Sequence, residues 1–306
     1  MHPTDETSGS ALLIGEALID IVEQPGAGAE PGSLEEFVGG SPANTAIGVA
    51  RLGHTARLLT RIGRDARGER IAALLEAEAV ELLPESWSAD RTSTAHARLA
   101  ADGSASYAFD IEWALPPCDP GRADLVHAGS IALFLEPGGA EALRLLRELS
   151  PTRLVTVDPN IRPSLLPDRA AALERFERAA AVADLVKLSD EDAEWLYPGE
   201  RPEAVAQRVL GLGPRVIAVT MGAEGSYGVS ARGSARVPAA PVEVVDTISA
   251  GDSYMASLIS SLLERGIDAV AESLPEVLGR AARAAAIAVS AAGANPPRRA
   301  QLDAAG

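Results

Sequence analysis

The chain has 306 residues, 47% of them apolar, which is enough for one large α/β domain or two small ones around a buried core. Its formal net charge of −16 disfavours nucleic acid as a partner, and its single cysteine, Cys118, excludes an internal disulfide. The N-terminus is acidic, and Glu16 and Asp20 interrupt the apolar stretch 11–22, so we expect no signal peptide, no membrane span and a cytoplasmic location.

Short apolar runs of strand length alternate with periodic Ala/Leu-rich segments along most of the chain. These runs are residues 11–14, 125–128, 153–158, 185–188 and 215–220. The alternation predicts βαβ units, with a mainly parallel sheet covered by helices on both faces. Ligands bind at the carboxyl ends of such strands, so the polar residues that follow them are the candidate site residues.

Two regions depart from this alternation. Residues 21–38 are rich in Gly, Pro and Glu, and residues 92–112 read as two strands around an Asp102-Gly103 turn. Antiparallel strands inserted in a parallel α/β domain often form a lid, and the alternative is an edge hairpin with no mobile role. We find no repeat of fixed period, so a second independent domain is not required.

The segment VEVVDTISAGDSYMASLI (242–259) carries the strongest chemical signal. It predicts a β-branched strand up to Asp246, a turn of small residues, and a helix from Gly251 to Glu264. Backbone amides at a helix start bind anions, and Asp252 beside them is able to take a proton from an attacking hydroxyl. Alternatively, Asp252 is an ordinary acid in a first helical turn and Gly251 a packing glycine.

A second turn lies in FVGGSPANTAIGVARLG (37–53). Gly39 and Gly40 allow a ligand to approach the backbone, Pro42 suits a first helical turn, and Asn44 offers both a donor and an acceptor. The pattern is typical of a sugar-hydroxyl site, and equally of a plain turn followed by a helix N-cap.

Polar residues also follow two other predicted strands. IGEALIDIV places Asp20 after a strand, where it is a candidate ligand or a solvated acid. VTVDPNIRPSLL places Asp158, Asn160 and Arg162 at the end of a strong strand. Arg162 alone is explained equally well as a surface arginine, but three polar groups at one strand end favour a site.

The segment VKLSDEDAEWL (186–196) contains Lys187, the only lysine of the chain. Its context does not match a Schiff-base lysine or a P-loop, so both are set aside. Ser189 and Asp192 are spaced as a helix cap. An acid here also suits Mg²⁺, which binds a few carboxylates together with phosphates and water.

Two later loops contain glycines and polar side chains that are candidates for nucleotide contact: Thr220, Gly222, Gly225, Gly293 and Asn295. The first three lie in VTMGAEGSYGV, where a G-x-x-G pattern is weak evidence by itself. The last two lie in AAGAN, after a helix predicted over 275–292, and a helix C-cap explains Gly293 as well.

The string DTISAGD resembles the C-terminal signature D-T-x-G-A-G-D of the PfkB, or ribokinase-like, family of sugar and nucleoside kinases, with Ser249 in place of a glycine. GEALID, GGSPAN, DPNIR and the segments around 186–196, 219–229 and 291–295 resemble further motifs of that family. In the 186–196 segment Ser189 replaces an asparagine and Asp192 a glutamate. The motifs occur in family order over residues 11–295, which is more specific than any single match.

The resemblance implies one ribokinase-like domain over residues 11–295, a three-layer α/β/α sandwich with a mainly parallel central sheet and a small β lid from residues near 21–38 and 92–112. It implies transfer of the γ-phosphoryl group of ATP to a sugar primary hydroxyl with Mg²⁺, and the family includes enzymes activated by K⁺. Asp252 is then the catalytic base, and residues 249–252, with Ser249, Ala250 and Gly251, form the anion hole for the transferred phosphoryl group.

The resemblance also assigns the remaining candidates. On the acceptor side it implies Asp20, Gly39, Gly40, Asn44, Arg162 and Phe109. On the nucleotide side it implies Asn160, Lys187, Ser189, Thr220, Gly222, Gly225, Gly293 and Asn295. Asp192 holds magnesium through water. The lid strands, with Phe37, Tyr107 and Phe109, are expected to cover the sugar or to pair two subunits in a homodimer.

GEALID, GGSPAN and DPNIR look more like fructokinases than other branches of the family, so fructose is the first acceptor expected. The other acceptors are 2-keto-3-deoxygluconate, ribose and a nucleoside. The departures at Ser249, Ser189 and Asp192 leave a non-catalytic sugar or nucleotide sensor as an alternative of another class. A Rossmann-type oxidoreductase is disfavoured because no G-x-G-x-x-G joins the first strand to the first helix.

Overall fold

A computed structural model describes residues 9–23, 33–99 and 105–305. The strands in these ranges are β1 (Ser10–Ile14), β2 (Leu18–Glu23), β3 (Leu34–Gly39), β4 (Thr55–Leu59), β5 (Val80–Leu82), β6 (Thr94–Leu99), β7 (Ala105–Asp110), β8 (Leu125–Gly129), β9 (Leu154–Asp158), β10 (Leu185–Ser189), β11 (Val216–Thr220), β12 (Ser226–Ser230) and β13 (Gly233–Val237). The α-helices are α1 (Ser41–Arg51), α2 (Ala66–Ala77), α3 (Ile131–Phe134), α4 (Gly138–Leu149), α5 (Arg169–Ala180), α6 (Asp190–Leu196), α7 (Pro202–Leu210), α8 (Ala250–Glu272), α9 (Leu274–Val289) and α10 (Arg299–Ala304).

Nine strands form one sheet in the order β13-β12-β11-β10-β9-β8-β1-β4-β5. All neighbours from β11 to β5 are parallel, and only β12 and β13 at one edge are antiparallel. The five apolar runs noted in the sequence are strands of this sheet, as predicted. They are mostly apolar because helices bury both faces.

Each face of the sheet has its own hydrophobic core. Leu12 and Ile14 of β1 pack into one core with residues of α4, α5 and α7, whereas Ala11 and Leu13 pack into the other with residues of α1, α8 and α9. This alternation follows from the period of two along a strand. The predicted three-layer α/β/α architecture is therefore confirmed.

A second sheet of four strands has the order β3-β2-β6-β7 and corresponds to the two irregular regions of the sequence. The strand β2 begins at Leu18, a few residues before the predicted segment, and the Asp102-Gly103 turn lies outside the described residues. Asp20 lies within β2 rather than after a strand, because the run around it is split between the two sheets. The role of this sheet as a mobile lid stays a prediction.

The β-branched run before the turn at Ser249 is not a strand, so that prediction was wrong. Residues 242–249 lie outside any strand or helix, with Val244 and Val245 exposed. Residues with high β propensity form a strand only where a neighbouring strand pairs with them. Here the N–H groups of Val245 and Asp246 donate instead to the carbonyl of Val289, over 2.8 and 3.2 Å.

The same contact ends α9 earlier than predicted. The helix stops at Val289, with Ser290 as its C-cap, whereas the sequence predicted Gly293. Since Asp246 accepts from the Gly293 N–H over 2.9 Å, that N–H does not continue the helix by donating to Val289. Gly293 adopts a left-handed conformation with φ of 70°.

Helices α1 and α8 pack closely at a pair of small residues. A side chain at Gly48 would place its Cβ 2.6 Å from the Cβ of Ala256. This approach brings the N-terminal turns of the two helices together, and both turns carry predicted site residues. No helix among the described residues is long and apolar enough to cross a membrane.

Gly48→Ala is expected to destabilise the fold by about 1–3 kcal/mol, because the added methyl group overpacks the contact between α1 and α8. Gly279→Ala in α9 is the matched control, since its Cβ would meet only the Arg283 side chain, 3.7 Å away. The control should be neutral or stabilising by about 0.5–1 kcal/mol, as alanine favours helix. Urea unfolding measures both, and equal stability of the two variants would contradict the proposed packing constraint.

Candidate active site

The carboxylate of Asp252 is held on both oxygens by α1. Ser41 Oγ donates to Asp252 Oδ1 over 2.7 Å, and Asn44 Nδ2 donates to Oδ2 over 2.9 Å. Asp252 is 7% exposed, and this burial raises its pKa, opposed by the two hydrogen bonds and by the charges of Lys187 and Arg162. A fixed carboxylate with a raised pKa is suited to accept a proton. Ser41 was not among the sequence-based candidates, and Asn44 contacts Asp252 directly.

The turn that precedes Asp252 is strained at Ser249. This residue is the N-cap of α8 and has left-handed backbone angles, φ 61° and ψ 11°. Its hydroxyl is buried and has no hydrogen-bond partner in the part of the chain that the structure describes. The N–H groups of a first helical turn have no carbonyl partner within the helix and favour an anion. The left-handed conformation explains why a glycine fits the Ser249 position better than any other residue.

On the β2–β3 hairpin, Asp20 lies against Gly39. A Cβ at Gly39 would clash with Asp20 Oδ2, and one at Gly40, where φ is 111°, would clash with the carbonyl of Glu16. Both glycines are therefore required by close approach of the protein's own atoms. Burial raises the pKa of Asp20 to about 6, while the charge of Arg162 opposes this effect.

Arg162 lies on the exposed loop after β9, where its Nη1 donates to Asn160 Oδ1 over 2.8 Å. Its charge lowers the pKa of Asp20, Glu16 and Asp252. One guanidinium thus acts on carboxyl groups of both the four-stranded sheet and the α8 turn. The structure brings the predicted acceptor-side residue Arg162 together with the predicted base.

The predicted metal residue Asp192 is part of a helix cap, as the capping interpretation predicted. Ser189 Oγ accepts from Asp192 N, and Asp192 Oδ2 accepts from Ser189 N, both over 2.9 Å. Asp192 Oδ1 accepts from Ile161 N over 2.7 Å, which ties the loop of Arg162 to α6. The described residues contain no group of three or more His, Cys, Asp or Glu side chains that could hold a metal ion.

The remaining nucleotide-side candidates lie along the carboxyl ends of the strands and in the loop after α9. Thr220 ends β11, and its Oγ1 donates to the Leu188 carbonyl over 3.3 Å. Gly222 and Gly225 follow with φ of 50° and 91°. Asn295 Oδ1 accepts from Arg51 Nη1 over 2.6 Å, so this amide oxygen anchors its loop to α1.

Glu16 is a buried acid of the site that sequence reasoning missed. It is 4% exposed, and its Oε2 accepts from the backbone N–H of Ala132 over 3.3 Å. Burial raises its pKa from 4.5 to about 7, opposed by a hydrogen bond from Ser130 and by the charge of Arg162. The available signal was a single acid inside an apolar run directly after the first strand.

Comparison with known proteins decides the family. The pattern of the pfkB family carbohydrate kinases matches residues 9–301. The chain belongs to the pfkB family. This pfkB kinase is 34% identical over 260 residues to a fructokinase of Rhizobium leguminosarum bv. trifolii, which covers 82% of this chain and 79% of the relative. The predictions of a PfkB carbohydrate kinase and of a ribokinase-like fold are confirmed.

Two solved fructokinases share the fold of this pfkB kinase. One, from Xylella fastidiosa with bound ATP, superposes with a TM-score of 0.82 at 24% identity over 96% of this chain and 97% of that one. The other is a double mutant from Vibrio cholerae O395 in a fructose, ADP and potassium ion bound form. It superposes with a TM-score of 0.80 at 23% identity over 98% of this chain and 99% of that one.

Replacing Ser249 in this pfkB kinase by glycine is expected to stabilise the protein. Ser249→Ala removes only the buried hydroxyl, whereas Ser249→Gly also removes the strain of a left-handed residue, about 1–2 kcal/mol before the entropy of glycine is counted. We expect the glycine variant to be more stable than the alanine variant by about 1 kcal/mol in denaturant unfolding. An alanine variant of equal or greater stability would show that the backbone is not strained.

Glu16 is expected to make the stability of this kinase depend on pH. Because its folded pKa is about 7 and its ordinary value 4.5, the folded state holds the proton more tightly. The proton on Glu16 therefore contributes up to about 3 kcal/mol to the free energy of unfolding. This contribution is fully present below pH 4.5 and is lost as the pH rises through 7.

Unfolding at pH 4.5 and pH 8 should therefore show a smaller loss of stability in Glu16→Gln than in the wild type. Glu76→Gln, at an exposed position of α2, is the control and should follow the wild type. The pKa values of Asp20 and Asp158 are also raised, and these residues are unchanged in both proteins, so the difference isolates Glu16.

Proposed function

We propose that this pfkB kinase transfers the γ-phosphoryl group of ATP to the primary hydroxyl at C6 of fructose and produces fructose 6-phosphate. The observation that carries the proposal is the buried Asp252 carboxylate, fixed on both oxygens at the start of α8. The choice of fructose is supported by the 34% identity to the Rhizobium fructokinase and by the shared fold of the fructose-bound Vibrio protein.

In the proposed step, the sugar oxygen forms a bond to the γ-phosphorus while the bond from that phosphorus to the β,γ-bridging oxygen breaks. Asp252 takes the proton of the attacking hydroxyl, and ADP leaves with the bond electrons. The amides of Gly251 and Asp252 stabilise charge on the transferring group. The amide of Ala250 donates to the Thr247 carbonyl over 3.3 Å and would have to leave it in order to join them. Ser41 and Asn44 hold the base in position throughout.

Acceptor binding is assigned to residues on both sides of the base. Asp20 presents a carboxylate from β2, and Arg162 a guanidinium from the loop after β9, so sugar hydroxyls have an acceptor and a donor. Gly39 ends β3, Gly40 is the N-cap residue of α1, and Phe109 lies in β7. These three residues are assigned to acceptor binding as well. Closure of the four-stranded sheet would exclude water, which prevents hydrolysis of the phosphate donor.

Nucleotide binding is assigned to the loops beside β11 and α9. A Cβ at Gly222 or Gly293 would have no atom of the described residues within 4 Å apart from its chain neighbours, so there is space next to both glycines. Val244, Val245 and Ile248 are exposed, and their side chains offer apolar contact to the base of the nucleotide. This arrangement fits a nucleotide, and the Xylella fructokinase of the same fold was solved with bound ATP.

Mg²⁺ is proposed to accompany ATP, where it neutralises phosphate charge. Each oxygen of Asp192 already accepts one backbone N–H and retains a second lone pair, which suits a metal-bound water. K⁺ is assigned to the loop around Asp246 and Ile248, where the Asp246 carboxylate accepts from the N–H groups of Ile248 and Gly293. Activity in KCl above that in NaCl tests this assignment.

A homodimer through the lid strands and a cytoplasmic location stay predictions of this proposal. Leu34 and Phe37 of β3 are exposed and provide an apolar surface for a second copy. The side chain of Tyr107 lies outside the described residues. Light scattering measures the oligomeric state directly.

The function is tested by sugar-dependent release of ADP in a coupled assay. The panel holds fructose, ribose, 2-keto-3-deoxygluconate and a nucleoside at equal concentrations. The highest kcat/KM with fructose supports the proposal. A higher kcat/KM with another acceptor would make that acceptor the substrate in place of fructose. No release of ADP with any of the four would favour a non-catalytic sensor.

Asp252→Asn is expected to reduce kcat by at least about 10²–10⁴-fold, because the amide cannot accept the hydroxyl proton. Binding of the sugar, measured by calorimetry, should change little, since the amide keeps the size of the carboxylate. Asp303→Asn, on α10, is the control and should leave kcat unchanged. Near wild-type turnover in Asp252→Asn would remove Asp252 from the role of base.

A further inference from the structure

Lys187, the only lysine of the chain, lies inside the domain rather than on its surface. It is 4% exposed, and its Nζ donates to Asp158 Oδ2 over 2.9 Å, with Asp158 itself 2% exposed. Thr156 of β9 pairs with Leu185 of β10, and one step of two residues along each strand places Asp158 beside Lys187. The pair is therefore built into the register of two neighbouring parallel strands.

The buried ammonium group of Lys187 contacts the turn that begins α8 from inside the domain. A Cβ at Gly251 would lie 3.0 Å from Lys187 Nζ and 4.0 Å from Lys187 Cε. Glycine at this position lets the cation approach the backbone of the turn. The lack of a side chain at Gly251 is thus explained by Lys187.

Burial alone would lower the pKa of Lys187, but the charges of Asp158, Asp192 and Asp252 raise it, so the side chain is a cation at neutral pH. A cation under the N-terminus of α8 adds to the positive end of the helix dipole. Two positive groups that converge on one turn favour an anion bound there.

The ion pair is poorly explained by stability alone. Asp158 Oδ1 is buried and has no hydrogen-bond partner among the described residues. Buried ion pairs often contribute no more to stability than apolar side chains of similar volume, because both charges lose their hydration. An unsatisfied buried oxygen makes this balance less favourable still.

We propose that Lys187, held by Asp158, is a positioning residue for phosphoryl transfer, which supports the Gly251 turn from below and directs a fixed positive charge towards the phosphoryl group bound above it. This inference rests on the proposed function. It also changes the expected role of Lys187, which acts on the turn from inside the domain and is not a surface ligand of the nucleotide.

Three variants separate this role from a structural one: Lys187→Met, Asp158→Asn and the double variant that carries both changes. Each single change leaves one buried partner without the other and is expected to lower the urea concentration at the midpoint of unfolding. The double variant carries no charge at either position, so it should recover most of the stability that each single change loses. A purely structural pair would recover kcat together with stability.

With the proposed role, the double variant recovers stability while kcat stays about 10²-fold below the wild type, as for loss of one electrostatic donor. The KM for the sugar should change less than about threefold, because the acceptor residues are untouched. Asp158→Asn, which keeps the cation, should retain a higher kcat than Lys187→Met. If the single variants do not fold, the double variant decides the question by itself.

The pH profile gives a second measurement. Asp252 faces Ser41 and Asn44 of α1, Lys187 of β10, Asp158 of β9 and Arg162 of the following loop. Removal of Lys187 alone takes away one of the two cations that lower the pKa of Asp252. The acid limb of kcat should therefore move to higher pH in Lys187→Met, and an unmoved limb would count against the proposal.

Arg280→Met is the matched control, because Arg280 is also a mostly buried cation paired with a carboxylate, Glu264, at 3.3 Å. It lies on α9 and should lose stability without loss of kcat. Wild-type kcat in the double variant would overturn the role of Lys187. Absence of sugar-dependent ADP release from the wild type would overturn the proposed function as well, so the two failures are distinguishable.

Discussion

The hydrogen bonds to both oxygens of Asp252 depend on the close approach of α1 and α8. Ser41 and Asn44 reach the carboxylate because Gly48 and Ala256 let the two helices pack without intervening side chains. Each helix is anchored on the same face of the large sheet. The position of this carboxylate, the proposed base, is therefore a consequence of how the core on that face is packed, and a small change in helix spacing would move it.

The second determinant of the site is the distribution of charge around that carboxylate. Lys187 acts on Asp252 from inside the domain and Arg162 from the exposed loop after β9. Both oppose the effect of burial, which by itself would favour the protonated form. Asp20 brings a further carboxyl group from the four-stranded sheet, within range of the same Arg162 charge. Acids and bases from both sheets thus share one electrostatic environment.

Much of the fold could be predicted from the sequence because its signals are local. Apolar runs of strand length identified the parallel strands, and the family motifs identified Asp252, Arg162 and the turn at Ser249. The run before that turn was misread as a strand, since the β-branched residues of 242–248 have no neighbouring strand with which to pair. Glu16 was missed because its burial depends on Ser130 and Ala132, far away in sequence.

The sequence alone determined the alternation of strands and helices, the family, and the residue types that carry the chemistry, because these depend on periodicity and on motifs of a few residues. Only the tertiary structure decided what those residues touch. Asn44 donates to Asp252, Asn295 accepts from Arg51, and Lys187 lies against Gly251. These contacts join residues distant along the chain, and their distances follow from strand register and helix packing, which no local pattern specifies.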